Sequence, residues 1–381
     1  MRGLCLHLRV GCPAKERLNV RILLIAGAYP PRYCGVGDYV KRLAQALAAL
    51  QGVTVAVLTQ KDGERSSTVE VEVIEAARSW RMREAPAVLR RIRRWKPDLV
   101  HLHYPSQGFG WRLLPALLPL LCKASGARVV QTWHEPWPLL DAHRFLLQRL
   151  AADGLLFVRP EFCTLMPAGL RPFMPACPMV TIGSAGSLPA SRLTASERVQ
   201  LRSEHLRGQQ ALVVFFGFVH PAKGVEQLFD IADPATHSIV IVGPTLDATY
   251  QAQLQDFAAT RGWAGRVHYA GYLEPQHAAD LIACADAVVL PFLDGGGDWN
   301  TSIHAALAQG TLVITTATRG WGDDPARNLY TARISDVEDM SGALRRLAGR
   351  RTAMPPQDGW VSVAQAHAQF YRTILQHQSA R

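Results

Sequence analysis

The sequence predicts an α/β protein built from two doubly wound, Rossmann-like domains that face a central cleft. Short apolar runs alternate with segments of helical periodicity, which is how a parallel sheet covered by helices reads. The alternation stops at "IGSAGSLPASRLTASERVQ", Ile182 to Gln200, a stretch rich in Gly, Ser, Ala and Pro, and then begins again. A chain of 381 residues exceeds one ordinary core and suits two domains of roughly 150 to 190 residues each.

The first strand is "VRILLIAG", from Val20, followed by the loop "AYPPRYCGVG" and the helix "DYVKRLAQALAAL", whose apolar residues recur on one face. Strands follow at "VTVAVLT", "DLVHLHY" and "ARVVQTWH", with a further apolar run at "GLLFV". "LLPALLPLLCKASG", from Leu113, is apolar but broken by proline and too short to span a bilayer, which predicts a buried helix. After the break, "QALVVFFGF" leads into the helix "KGVEQLFDIA". Strands "SIVIVG", "RVHYAG", "DAVVLPF" and "TLVITT" then alternate with helices from Ala252 and His277, and a final helix runs from about Val361 to His377. The expected boundaries are an N-terminal extension over 1–19, a Rossmann-like domain over 20–185, a linker over 186–205, a second such domain over 206–355, and a C-terminal helix over 356–381 packing back on the first domain.

Hydrophobic residues at 48% and charged residues at 19% describe a globular chain without a long disordered tail. The net charge of +10 comes largely from arginine and is densest in "RRIRRWK", Arg90 to Lys96. That balance favours anionic partners, and Trp95 among the arginines predicts peripheral contact with an anionic membrane. No aromatic-rich nucleic-acid motif or zinc-finger spacing accompanies it, so no nucleic-acid partner is expected. Seven scattered cysteines without a CxxC predict a reducing compartment, the cytoplasm, and no structural zinc. The opening residues hold no apolar run long enough for a signal peptide.

Three strand-to-helix junctions carry anion-binding chemistry. "PFLDGGGDWNTSIHAALAQG" leaves a buried strand through Gly295, Gly296 and Gly297 and opens a helix at Asn300, Thr301 and Ser302. Glycines let backbone amides approach a ligand, and a helix start favours negative charge. "GFVHPAKGVEQL" sets Lys223 and Gly224 at a second junction, so that a lysine and a glycine-rich helix entrance flank a diphosphate. Gly35 and Gly37 form a third, without the full dinucleotide fingerprint or a P-loop.

In this order and spacing, "YPPRYCGVGDYVKRLAQAL", "GFVHPAKGVEQL" and "ADAVVLPFLDGGGDWNTSIHAALAQGTLVITT" resemble the nucleotide-sugar glycosyltransferases of the GT-B fold, family four. The resemblance spans nearly the whole chain from Val20. It implies an acceptor-side first domain and a donor-nucleotide second domain. It further implies a UDP-sugar or GDP-sugar donor whose diphosphate is held by Lys223, the amides around Gly295 to Ser302 and the Gly35/Gly37 loop, with retaining transfer and no metal or other cofactor. The chain departs from the pattern at Phe218, where members carry an arginine, and at Gly296 and His304, where they carry paired glutamates. His220 stands near the missing arginine. Asp294 or Asp298 replaces one acid, and a neutral His304 accepts a ribose hydroxyl.

"TWHEPW" contributes His134 and Glu135 at the end of a first-domain strand. Its match to the family's "HE" loop implies that His134 serves the reacting sugar and its leaving phosphate, with Glu135 orienting it or capping a turn. His101 and His103 alternate along "DLVHLHY" and share a face; with Tyr104, His103 is placed on the acceptor side. No third ligand accompanies the histidine pair, so no metal site is expected. The expected activity is hexosyl transfer to a polysaccharide, glycolipid or other glycoconjugate at the inner face of the cytoplasmic membrane. The alternatives are an inactive member that binds nucleotide-sugar or a partner glycosyltransferase, and a sugar-nucleotide epimerase.

Overall fold

The computed structural model describes residues 19–61, 71–245, 247–318, 321–355 and 358–376. Most of the expected N-terminal extension, with Cys5 and Cys12, lies outside the described residues, as does His377. The chain divides into two compact units, Met1–Ser184 with Trp360–Arg381, and Ala185–Gly359.

The first unit holds β1 (Val20–Ile25), β2 (Val53–Gln60), β3 (Glu72–Ala77), β4 (Leu99–Tyr104), β5 (Arg128–Trp133), β6 (Gly154–Phe157) and β7 (Met179–Thr181). They form one seven-stranded sheet in the order β3-β2-β1-β4-β5-β6-β7. Every pairing is parallel; Leu23 of β1, for example, sits between Ala56 and Val100. The central strands β1, β4, β5 and β6 are almost wholly buried, as strands of a sheet covered on both faces are. The helix Leu114–Ala124 is buried along one side despite Pro119, as its sequence predicts. The helix Gly359–Gln376 contributes Phe370, Tyr371 and Ile374 to this unit's interior, and Phe370 and Ile374 pack on Gly154 of β6.

The basic segment forms the helix Ala85–Trp95, with Val88, Ile92 and Trp95 buried and Arg90, Arg91, Arg93 and Arg94 exposed. Trp95 cannot anchor the chain in a lipid interface. Its indole Nε1 donates to Glu72 Oε2 at 2.9 Å, and the Arg21 guanidinium lies over its ring at 4.3 Å. Burial of the apolar face of an amphipathic helix explains the placement.

The second unit holds β8 (Ala211–Phe216), β9 (His237–Val242), β10 (Val267–Gly271), β11 (Ala287–Leu290), β12 (Val313–Thr316) and β13 (Leu329–Ala332). Its six-stranded parallel sheet runs β10-β9-β8-β11-β12-β13, with Val213 between Ile239 and Ala287. The stretch expected as linker carries the helix Ala195–Leu206, which belongs to this unit. Arg202 pairs there with Asp286 at 2.8 Å, and Asp286 also accepts from the Leu212 amide at 2.7 Å. Among the described residues no helix is long and apolar enough to cross a membrane.

Candidate functional site

In a doubly wound sheet the connections part where the strand order reverses, leaving a crevice beyond the carboxyl ends. In the second unit that point lies between β8 and β11. After β8, His220 accepts the Ala222 amide on Nδ1 at 3.2 Å and so caps the short turn Pro221–Lys223. The histidine near the family's arginine position therefore holds the turn. The Lys223 ammonium sits 4.5 Å from the centroid of Phe292, just beyond β11, and the Leu293 amide donates to Ala222 O at 3.2 Å. The lysine loop and the glycine loop are thus laced together at the crevice.

The glycine loop differs from its sequence reading. The Gly295 amide donates to Phe292 O at 3.2 Å, Gly296 to Thr316 O at 2.7 Å, and Gly297 to Asn300 Oδ1 at 2.9 Å. The Trp299 ring fills the space where a side chain at Gly297 would stand. These glycines permit close packing, and their amides are engaged within the loop or, for Gly296, by β12, so in this arrangement they do not donate to phosphate. Asn300 occupies the N-cap of the helix Thr301–Leu307, but its side chain turns back to Gly297. Among the described residues the Thr301 and Ser302 amides therefore keep no acceptor, as first-turn donors do without a cap. Ser302 Oγ faces Gly217 at the end of β8, on the crevice.

His304 Nε2 donates to Asp298 O at 3.0 Å, and its Nδ1 accepts from Arg327 Nη2 at 3.4 Å. Burial pushes its pKa down, which keeps the ring neutral and the Nδ1 lone pair available to the guanidinium. Both nitrogens are committed, so the ring closes the loop, with none left to accept a ribose hydroxyl. Asp294 and Asp298 remain exposed on the loop. An open pocket of about 590 Å³ lies at the ends of β12 and β13, lined by Thr318, Trp321 and Arg333 among others, and Thr318 packs against Gly295 of the loop. Arg327 carried no signal in the sequence, and Asn300 read as a helix cap without revealing that its side chain turns back to Gly297, since both partners are set by the folded loop.

The corresponding reversal in the first unit, between β1 and β4, is closed by the chain itself. Ser106 Oγ accepts from the Gly27 and Ala28 amides at 3.1 and 3.2 Å, and Gly108 crosses Gly27 so tightly that neither has room for a Cβ. Beside it, the helix Gly35–Ala48 starts on Cys34, whose Sγ accepts from the Gly37 amide at 3.4 Å. Of the two glycines expected to face an anion, only Gly35 keeps its amide without an acceptor among the described residues.

Parallel pairing of β4 with β5 sets His103 opposite Thr132, and the His134 amide continues the ladder to Tyr104 O at 2.8 Å. His103 Nδ1 lies 3.2 Å from His134 Nε2. His101 stacks on His103 with ring centroids 4.2 Å apart, and its own nitrogens meet Tyr371 Oη at 2.6 Å and Thr132 Oγ1 at 2.7 Å. The two histidines share a face as expected, but that face is core. His103 is fully buried behind His134, and Tyr104 stacks on Trp137 at 4.8 Å, so neither side chain stands at a surface an acceptor reaches. Tyr39 packs edge-on against His134 at 5.3 Å, and its hydroxyl lies 3.4 Å from His367 Nε2. Burial, reinforced by His367, lowers the His134 pKa to about 3, and burial lowers that of His367 to about 4. His134 is therefore neutral at physiological pH and can serve a substrate by hydrogen bonding, without charge. Glu135 is exposed, and its Oε1 accepts from Arg159 Nη2 at 3.1 Å.

Residues 33–161 match the family model Glycosyltransferase Family 4, and residues 210–350 match Glycosyl transferases group 1. No curated protein sequence matches the chain. Among solved structures, sucrose-phosphate synthase from Thermosynechococcus elongatus superposes with a TM-score of 0.71 at 18% identity, over 94% of this chain and 100% of that one. The catalytic domain of starch synthase IV from Arabidopsis thaliana, bound to ADP and acarbose, gives 0.69 at 15% identity over 96% and 100%. The Anabaena protein HepE, in complex with UDP and glucose, gives 0.67 at 15% identity over 95% and 98%. At these identities the structural likeness establishes the fold, and the two family matches, each on its own doubly wound unit, establish the rest: the chain belongs to the group 1 glycosyltransferases of the GT-B fold.

Proposed function

We propose that the protein moves a hexose from a UDP-sugar or GDP-sugar to a glycan or lipid-linked acceptor, with retention at the anomeric carbon and without a bound metal ion. One observation carries the reading. The loop bearing Lys223 and the helix start bearing the unengaged Thr301 and Ser302 amides flank the same β8/β11 crevice. Negative charge develops on the departing diphosphate as the anomeric carbon–oxygen bond breaks, and a lysine with fixed amide dipoles stabilises it there. Solved proteins of this fold hold UDP or ADP, which agrees with such a donor.

In the retaining reading, the acceptor hydroxyl oxygen bonds to the anomeric carbon on the face the diphosphate leaves. Its proton passes to a departing phosphate oxygen, and nucleoside diphosphate is released. No protein nucleophile takes part, unlike the paired-carboxylate design of retaining glycosidases. We assign His134 to a hydroxyl of the reacting sugar, as a neutral hydrogen-bonding partner. Asp294 and Asp298, exposed on the glycine loop, are the acids left for the donor sugar or ribose. Glu135 is held by Arg159 through Oε1 and would meet a substrate from that position.

The second reading, a member that binds nucleotide-sugar without transferring it, is favoured by Gly296 and His304 at the glutamate positions. Binding and turnover with a panel of UDP-, GDP- and ADP-sugars separate the two. Transfer or donor hydrolysis supports the enzyme, and tight binding with neither supports the second reading. Activity retained in excess chelator is expected; complete loss restored by magnesium or manganese would refute the metal-free mechanism.

A further inference from the structure

The exposed apolar surface of the first unit is concentrated around one short helix, Ala142–Arg149, with Leu140 91% exposed, Trp111 78%, Leu139 64% and Leu150 61%. Specific contacts hold these segments side by side. Arg144 Nη2 donates to Trp111 O at 2.7 Å and its guanidinium lies 5.0 Å from that indole. At the other end of the helix the Arg149 guanidinium lies 6.0 Å from the half-exposed Phe173 ring. Stray leucines on a surface need no explanation, but a cluster of large apolar side chains around a tryptophan marks an interaction site.

The charge around it selects the partner. No acidic residue occurs from Ser106 to His134 or from Phe162 to Ile182. Within the helix region the acid is Asp141, buried and paired with Arg144 at 3.2 Å. Arg112 and Arg171 are exposed beside the cluster, and the exposed Glu135 that precedes it is paired with Arg159 at 3.1 Å, so the border carries unbalanced positive charge. Apolar side chains that enter the acyl boundary while cations meet phosphate are the chemistry of an anionic bilayer surface.

We infer that the first unit docks on anionic lipid bilayers through Trp111, Leu139, Leu140, Leu150 and Phe173. The helix Ala85–Trp95 is not the anchor, because its tryptophan is buried.

The test is co-sedimentation of the full chain with vesicles of phosphatidylcholine alone or mixed with phosphatidylglycerol. Binding is expected to the mixed vesicles only and to weaken in high salt. Leu139→Ser with Leu140→Ser should lower partitioning roughly tenfold or more, from the lost apolar transfer. Arg90→Glu with Arg94→Glu should retain most of the binding. Both pairs are exposed, and an unchanged thermal midpoint verifies that they fold. Three results would overturn the inference: no vesicle binding, binding indifferent to the leucine pair, or concentration-dependent self-association that the leucine pair abolishes, which would make a second copy the occupant.

Discussion

His103 Nδ1 lies 3.2 Å from His134 Nε2, and the other nitrogen of His103 is sealed in the core without a partner. Orphaned buried donors are rarer than under-satisfied acceptors, so the His103 proton belongs on Nδ1, donated to His134. That leaves the His134 proton on Nδ1, the nitrogen that is not enclosed. His103 is then a positioning residue that sets the tautomer of His134. Imidazole ¹⁵N shifts should report His134 as the Nδ1–H form in the native protein and a tautomer mixture in His103→Ala. Turnover should fall roughly tenfold with donor affinity nearly unchanged, the loss expected for one hydrogen bond. An unaltered His134 signature in the variant would remove His103 from this role.

The buried histidines also set an acid limit on stability. Unfolded histidine takes up a proton near pH 6.5, whereas folded His134 and His367 resist it until about 3 and about 4. Below pH 6.5 the unfolded chain binds more protons, so the stabilisation present above that pH is lost as pH falls towards 4. Each histidine contributes a slope of about 1.4 kcal/mol per pH unit in that window. Urea unfolding at pH 7, 6 and 5 checks this, and equal midpoints at all three would contradict the buried neutral cluster.

The glycine loop is predicted to be held by packing. Gly297→Ala drives a methyl into the Trp299 ring and should destabilise the fold by roughly 1–3 kcal/mol. Thermal unfolding measures it, and the Gly297→Ala with Trp299→Ala double variant should recover part of the loss.

His304→Gln should preserve donor affinity better than His304→Ala, because an amide can both donate to Asp298 O and accept from Arg327. Calorimetry with nucleoside diphosphate reads the difference. Equal affinities in the two variants would show that these contacts do not shape the site.

Much of the fold was legible because apolar runs and helical spacing are local. The helix Ala195–Leu206 was legible too, though it was expected as linker. Its start, "TASE", is a capping box in which Thr194 Oγ1 accepts the Glu197 amide at 3.3 Å and Glu197 accepts the Thr194 amide at 2.7 Å. The loop composition around it outweighed that signal. Lys223 could be read from its place at a strand-to-helix junction. The fate of the glycine amides could not, since Gly296 donates to Thr316, on the neighbouring strand. Nor could the burial of His103, which depends on Tyr371 and His367 of a helix far along the chain covering the face that His101 and His103 share.

The central claim is that a donor diphosphate binds in the β8/β11 crevice of the second unit. Its most direct test is calorimetric titration of UDP and GDP into the native protein and folded Lys223→Ala. The account predicts binding of one or both nucleotides to the native chain and a tenfold to hundredfold loss in the variant, the effect of removing a charge-assisted contact of about 1.5 to 3 kcal/mol. Equal affinity in the two proteins would contradict it.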